Sequence, residues 1–202
     1  MTREKQKTKQ RILDTALELF STQGFEATSI AQIADVVGVR KASLYSHFDS
    51  KQDILDRLID SIMEGYSKHS VRSLADSMDD ELDPDGVVRL VTEQIRNAIH
   101  DAHVSRARKM LTIEQYRNPQ LAELMTRRSY TDVLVFAETL MERLVSKGRL
   151  KPLDTKLMAA QFALPISVWM SLCDREPERE DEAFKLIERH IRQFFEVYGA
   201  DE

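Results

Sequence analysis

Apolar residues recur every three or four positions along most of this chain, and glycine, proline and capping residues interrupt them. From Lys9 to Gln23 they fall at Ile12, Leu13, Ala16, Leu17, Leu19 and Phe20, a helical stripe that Gly24 stops. Thr28 is placed to cap a short second helix carrying Ile30, Ile33, Ala34 and Val37, which Gly38 ends. A third short helix is expected from about Arg40 to His47. Ser50 and Asp53 then have the spacing of a capping box, opening a long helix to about Ser77.

The acidic stretch Met78–Asp85 reads as a linker, and its Asp83-Pro84 is a cap followed by a first-turn proline. Helical periodicity resumes over Val87–Ile99 and Val104–Arg117. Asn118-Pro119 repeats the cap-then-proline signal and opens a helix to Lys147, stopped by Gly148. After the loop Arg149–Leu153, Asp154 caps a helix to about Asp174, in which Pro165 removes a backbone donor. A last helix runs from near Pro177 to Gly199. The pattern predicts an all-α chain of about nine helices, with no strand and no internal repeat.

Composition agrees with that class. Glycine and proline together supply 11 of 202 residues, too few for the many tight turns of a sandwich or barrel. The N-terminus is charged and carries no apolar leader. The densest apolar stretch, Phe162–Cys173, is interrupted by polar residues and is shorter than a membrane span, so a cytoplasmic protein with no membrane partner is expected. One cysteine, Cys173, excludes an internal disulfide framework. Charge is unevenly placed. The chain carries −5, but residues 1–51 hold eight Lys/Arg against six Asp/Glu, +2, which leaves −7 for the remainder. A basic N-terminal third on an acidic body points to local contact with a polyanion.

Residues 28–48, TSIAQIADVVGVRKASLYSHF, have the spacing of a helix-turn-helix. Ala34 is the small residue where two short helices cross, and Gly38 is the residue tolerant of positive φ at the bend. Ile33, Val37, Val39 and Leu44 are the apolar plugs between them. Around this core, RILDTALELFSTQGFEATSIAQIADVVGV and SLYSHFDSKQDIL resemble the DNA-binding domain of the TetR (tetracycline repressor) family of bacterial transcription regulators. The resemblance covers residues 8–60. It implies a DNA-binding domain over 1–50 and a C-terminal ligand-binding and dimerisation domain over 51–202.

Residue roles carry over by position. The resemblance implies that the helix from Arg40 enters the major groove, with Arg40, Lys41 and Ser43 facing bases or flanking phosphates. Arg40 stands where the family often has a small hydroxylated residue. Tyr45 and His47 match positions that touch phosphate through a hydroxyl and an imidazole N–H. Lys51, in the first turn of the fourth helix, and Thr28, at the start of the second, are expected to join helix N-termini at phosphates. Leu44 and Phe48 are read as core plugs.

In the C-terminal part, Tyr66, Met110, Tyr116, Phe162, Trp169 and Cys173 are the candidates to line a small-molecule pocket, since Met and aromatic residues suit adaptable apolar cavities. The last helix bears Phe184, Ile187, Ile191, Phe194 and Phe195, an apolar band wider than one packing face needs; these are the candidates for a homodimer interface. The implied function is a ligand-responsive regulator, a repressor released from a palindromic operator when an effector binds. No cofactor is implied. His100 and His103 share a helical face but lie on a polar stretch that reads as solvated surface, so no metal site is assigned. No phosphate-binding glycine loop, Gly-x-Ser-x-Gly elbow or His-Glu-x-x-His occurs, and an enzyme is not expected.

Overall fold

The computed structural model describes residues 3–68 and 83–200, and for 63–68 the backbone only. Its helices are α1 (Arg3–Gln23), α2 (Ile30–Val37), α3 (Lys41–Tyr45), α4 (Lys51–Lys68), α5 (Pro84–His100) and α6 (Ala102–Glu114). The helix opened by Asn118-Pro119, α7, consists of Pro119–Thr126, a π-turn at Arg127–Thr131 and Asp132–Ser146. Then come α8 (Thr155–Arg175), a 3₁₀ turn at Pro177–Arg179, and α9 (Glu180–Tyr198). These nine helices, with no β-strand among the described residues, are the all-α architecture expected. The far end of α4 and the linker, residues 69–82, lie outside the described residues.

Local chemistry sets the boundaries. Gly24, Gly38 and Gly148 end α1, α2 and α7 at φ of +86°, +77° and +68°, the left-handed region that L side chains avoid. Gly199 ends α9 for a different reason. Its φ is ordinary, but a Cβ there would lie 2.5 Å from the Phe195 carbonyl oxygen. The cap of α2 is Ser29, not Thr28: the Ser29 hydroxyl accepts the Gln32 N–H at 3.2 Å, and the Gln32 side chain accepts the Ser29 N–H at 2.8 Å. Ser50 accepts the Asp53 N–H at 3.0 Å, while the Asp53 carboxylate reaches one residue further back, to the Asp49 N–H at 3.1 Å. Asp83 and Asp154 cap α5 and α8 as expected. α3 is shorter than Arg40–His47, because the chain tightens at its end and the His47 N–H bonds the Leu44 carbonyl.

The chain forms two compact units. The first comprises the described residues up to Lys68 together with Ala102–Met125; the second comprises residues 83–101 and 126–200. In the first, α1 packs against α2, α4 and α6, and α2 against α3. Its core holds Ile12, Leu17, Phe20, Ile33, Leu44 and Phe48 from the N-terminal helices, with Met110, Leu111 and Leu121 from α6 and α7. In the second, α8 packs between α7 and α9, and α5 lies against both α8 and α9. Val87, Met141, Phe162, Ile187, Ile191 and Phe194 are among its core residues. The helix Thr155–Arg175 as a whole is long and apolar enough to cross a membrane by length and composition, which revises the shorter stretch read from sequence. Met158, Ala159, Phe162, Ala163, Ile166 and Cys173 are its buried residues.

Candidate nucleic-acid interface

Leu44 and Phe48 are 0% and 1% exposed and pin α3 onto the first unit's core, which turns the neighbouring side chains outward. Arg40, Lys41 and Tyr45 are exposed, and Ser43 and His47 are half-buried. Arg40 occupies the N-cap position of α3 without making a side-chain cap bond. The backbone serves here as scaffold: the Arg40 carbonyl accepts the Ser43 N–H at 2.8 Å and the Leu44 N–H at 3.2 Å.

Two lysines of α1 join this face. Lys9 Nζ lies 5.5 Å from the centre of the Phe48 ring, within cation–π range. Burial, and after it the charges of Lys5 and Lys9, hold the His47 imidazole below the ordinary histidine pKa. The His47 Nδ1 is buried and has no hydrogen-bond partner among the described residues. A neutral ring with its proton on Nε2 suits that setting. The basic N-terminal arm was legible as a charge run. Which of its lysines belong with α3 follows only from the way α1 packs.

Two expected phosphate contacts are placed otherwise. Thr28 is 1% exposed, and its hydroxyl donates to the Gly24 carbonyl at 2.8 Å while accepting from Gln23 Nε2 at 3.0 Å. The hydroxyl is thus spent inside the fold, and Ser29 is the exposed one beside it. The Lys51 ammonium turns inward: it donates to the carbonyls of Phe25 at 2.7 Å, Thr28 at 2.9 Å and Glu26 at 3.5 Å, and lies 4.2 Å from the Phe25 ring centre. Its donors are used by backbone oxygens that lie 23 to 26 residues away in sequence, which no local pattern reveals.

The six pocket candidates are not brought together. Met110 is fully buried in the first unit's core, and Tyr116, in the same unit, is 90% exposed. The Tyr66 side chain lies outside the described residues. Phe162, Trp169 and Cys173 belong to the second unit, where His190 links two of them. The Trp169 and His190 rings meet edge-on at 5.4 Å, and the His190 Nε2–H donates to the Phe162 carbonyl at 2.9 Å. His190 escaped the sequence reading because it lies between the apolar positions of α9.

The band on α9 is likewise divided differently. Ile187, Ile191 and Phe194 are 0%, 0% and 4% exposed and serve the second unit's own core. Phe184 and Phe195 are half-buried against that core, with the Arg96 guanidinium 4.5 Å from the Phe184 ring. Apolar residues left outward on the last two helices are Leu157, Val168 and Val197, which are 56%, 62% and 55% exposed.

Comparison with known proteins agrees with this arrangement. The model of bacterial regulatory proteins of the tetR family matches residues 12–58, and that of the AefR-like transcriptional repressor C-terminal domain matches residues 87–200. The HTH-type transcriptional regulator TtgR of Pseudomonas putida is 33% identical over 109 residues, 54% of this chain and half the length of TtgR. UidR of Escherichia coli, also an HTH-type transcriptional regulator, is 28% identical over 179 residues, 88% of this chain and 86% of UidR. A solved transcriptional regulator from Saccharomonospora viridis, in complex with choline, superposes with a TM-score of 0.71 at 19% identity, covering 98% of this chain and all of that one. An exposed basic face around the short helix α3, with family models matching both parts of the chain, identifies the chain as a member of the TetR family of DNA-binding transcriptional regulators.

Proposed function

We propose that the protein is a homodimeric repressor that leaves a palindromic operator when a small molecule binds its C-terminal part. The observation that carries this reading is the outward face of α3, with Arg40, Lys41, Tyr45 and His47 beside Lys5 and Lys9 of α1. Arg40 and Lys41 read base edges or the phosphates beside them, and Ser43 and Tyr45 offer hydroxyls. Lys5 and Lys9 add sequence-independent attraction, which makes binding steeply salt-dependent. Thr28 and Lys51 hold the scaffold. The functional division assigns operator contact to residues 1–50 and effector binding and dimerisation to 51–202. A regulator that acts on operator DNA acts in the cytoplasm.

Repression is supported by the repressor description of the domain matching residues 87–200. A small organic effector is supported by the choline complex of the S. viridis regulator, which shares the fold. Phe162 and Trp169, joined by His190, are the assigned starting points for an effector wall. The partner subunit is assigned to the outward apolar residues of α8 and α9: Leu157, Val168 and Val197. α4, which follows directly after α3, carries the change. Effector binding alters the separation of two recognition helices, and by linkage DNA weakens effector binding by the same factor.

The test is selection of duplexes from a random pool by the full-length protein. The expected product is a palindrome whose half-sites lie about 10 base pairs apart or somewhat more. Enrichment of no duplex over the starting pool would contradict the reading.

A further inference from the structure

Charges hold the turn between α1 and α2 from both sides. Glu114, the last residue of α6, is 3% exposed, and its Oε1 accepts the Phe25 backbone N–H at 2.8 Å. The carbonyl of the same residue accepts Lys51 Nζ at 2.7 Å, and the ammonium also lies over the Phe25 ring. A negative charge therefore faces the N–H of Phe25 and a positive charge faces its C=O. Both bonds are charge-assisted, the stronger class. Gly24 lets the chain pass beside the carboxylate: its φ is +86°, and a Cβ there would lie 3.1 Å from Glu114 Oε1. The Thr28 hydroxyl closes the turn onto the Gly24 carbonyl, and Ser29, the cap of α2, follows immediately.

We propose that Glu114 and Lys51 are positioning residues for DNA binding. Clamping Phe25 between them sets the first turn of α2 against the start of α4, and α3 lies between those two helices in the chain. This assignment rests on the DNA-binding reading above. Neither residue touches phosphate. An ammonium has three N–H donors, and Lys51 presents them to three backbone carbonyls. Glu114 is buried and comes from 89 residues away in sequence.

The selected duplex serves as the probe, with the full-length variants Lys51→Met, Glu114→Leu and Glu114→Gln measured across a salt series and affinity expressed per folded protein. Lys51→Met is expected to weaken binding five- to tenfold, while the slope of log affinity against log salt stays at the wild-type value. Glu114→Leu weakens binding by a similar factor. Glu114→Gln, whose amide oxygen still accepts the Phe25 N–H, retains most of the affinity. The double variant Lys51→Met/Glu114→Leu is no weaker than about the worse single variant, because both act through one residue.

A Lys51→Met slope shallower by about 0.9 would make the ammonium a phosphate ligand and overturn the assignment. So would wild-type affinity in Lys51→Met and Glu114→Leu, or effects that multiply in the double variant. If Glu114→Leu does not fold, the Lys51→Met slope and the Glu114→Gln affinity decide. A wild-type protein that selects no duplex would remove the DNA-binding reading and this assignment together. Normal selection with unaffected variants removes the assignment alone.

Discussion

The outward surfaces of the two units differ in kind. Around α3 the first unit exposes Arg40, Lys41 and Tyr45, with Lys5 nearby on α1. Along α8 and α9 the second exposes Leu157, Val168 and Val197, each more than half open to solvent. Cations and a hydroxyl suit a hydrated polyanion, where affinity comes from displaced counterions. Aliphatic residues at helical spacing suit another helix, where affinity comes from apolar area removed from water. One chain thus presents two surfaces with opposite solvent preferences, and each is backed by its own core.

Glycines answer two different needs, whichever unit holds them. Gly38 in the first unit is required by conformation, since φ is +77° and a Cβ would meet nothing within 4 Å. Gly199 in the second is required by space, because the Phe195 carbonyl leaves no room for a Cβ.

The contrast is broken most severely by charging the apolar surface. Val168→Glu combined with Leu157→Glu is expected to turn the proposed dimer into monomers with protomer stability changed by no more than about 0.5 kcal/mol, as for other exposed sites. Because paired recognition helices bind with avidity, operator affinity should fall by about 100-fold or more. Sedimentation velocity and operator titration on the same variant check both halves. A dimer that persists would move the interface elsewhere.

Gly38→Ala comes next. Placing a Cβ at positive φ costs about 1–2 kcal/mol, so the unfolding free energy of the first unit from chemical denaturation should drop by that amount with no steric rearrangement. Tyr45→Phe removes a single hydroxyl, and a hydrogen bond is worth about 0.5–1.5 kcal/mol, so operator affinity should fall about two- to tenfold while stability is unchanged. Stability loss without affinity loss would return Tyr45 to a packing role.

The smallest expected effect is that of pH. His47 has its pKa held down by burial and by Lys5 and Lys9, so the folded protein binds fewer protons there than the unfolded chain does. Stability from this group is fully present above about pH 6.5 and is lost as pH falls below it. A phosphate beside the ring favours imidazolium, so operator binding takes up protons and strengthens from pH 8 to pH 6. His47→Gln should flatten both dependences, measured by thermal unfolding and operator titration at the two pH values.

Local signals were legible in the sequence and distant ones were not. Gly24, Gly38, Gly148, Asp83 and Asp154 punctuate helices through their own backbone or side chain, and the structure uses them as such. Thr28 and Ser29 are adjacent hydroxyls with similar capping preference, and tertiary burial of Thr28 decided between them. Lys51 at a helix N-terminus resembles a phosphate ligand until the carbonyls of Phe25, Glu26 and Thr28 are seen around it. The width of the apolar band on α9 was visible, but periodicity does not say that Ile187, Ile191 and Phe194 face inward. The π-turn at Arg127–Thr131 has no residue signature of its own, although its one extra residue rotates the apolar face that follows by about 100°.

The central claim is that the α3 face of the first unit binds DNA, and one titration tests it most directly. The full-length protein is titrated with its selected duplex and with a scrambled duplex of equal length, from 50 to 200 mM salt. The account predicts preference for the selected duplex at every salt concentration, with affinity falling steeply and log-linearly as salt rises. Equal affinity for the two duplexes, or binding indifferent to salt, would contradict it.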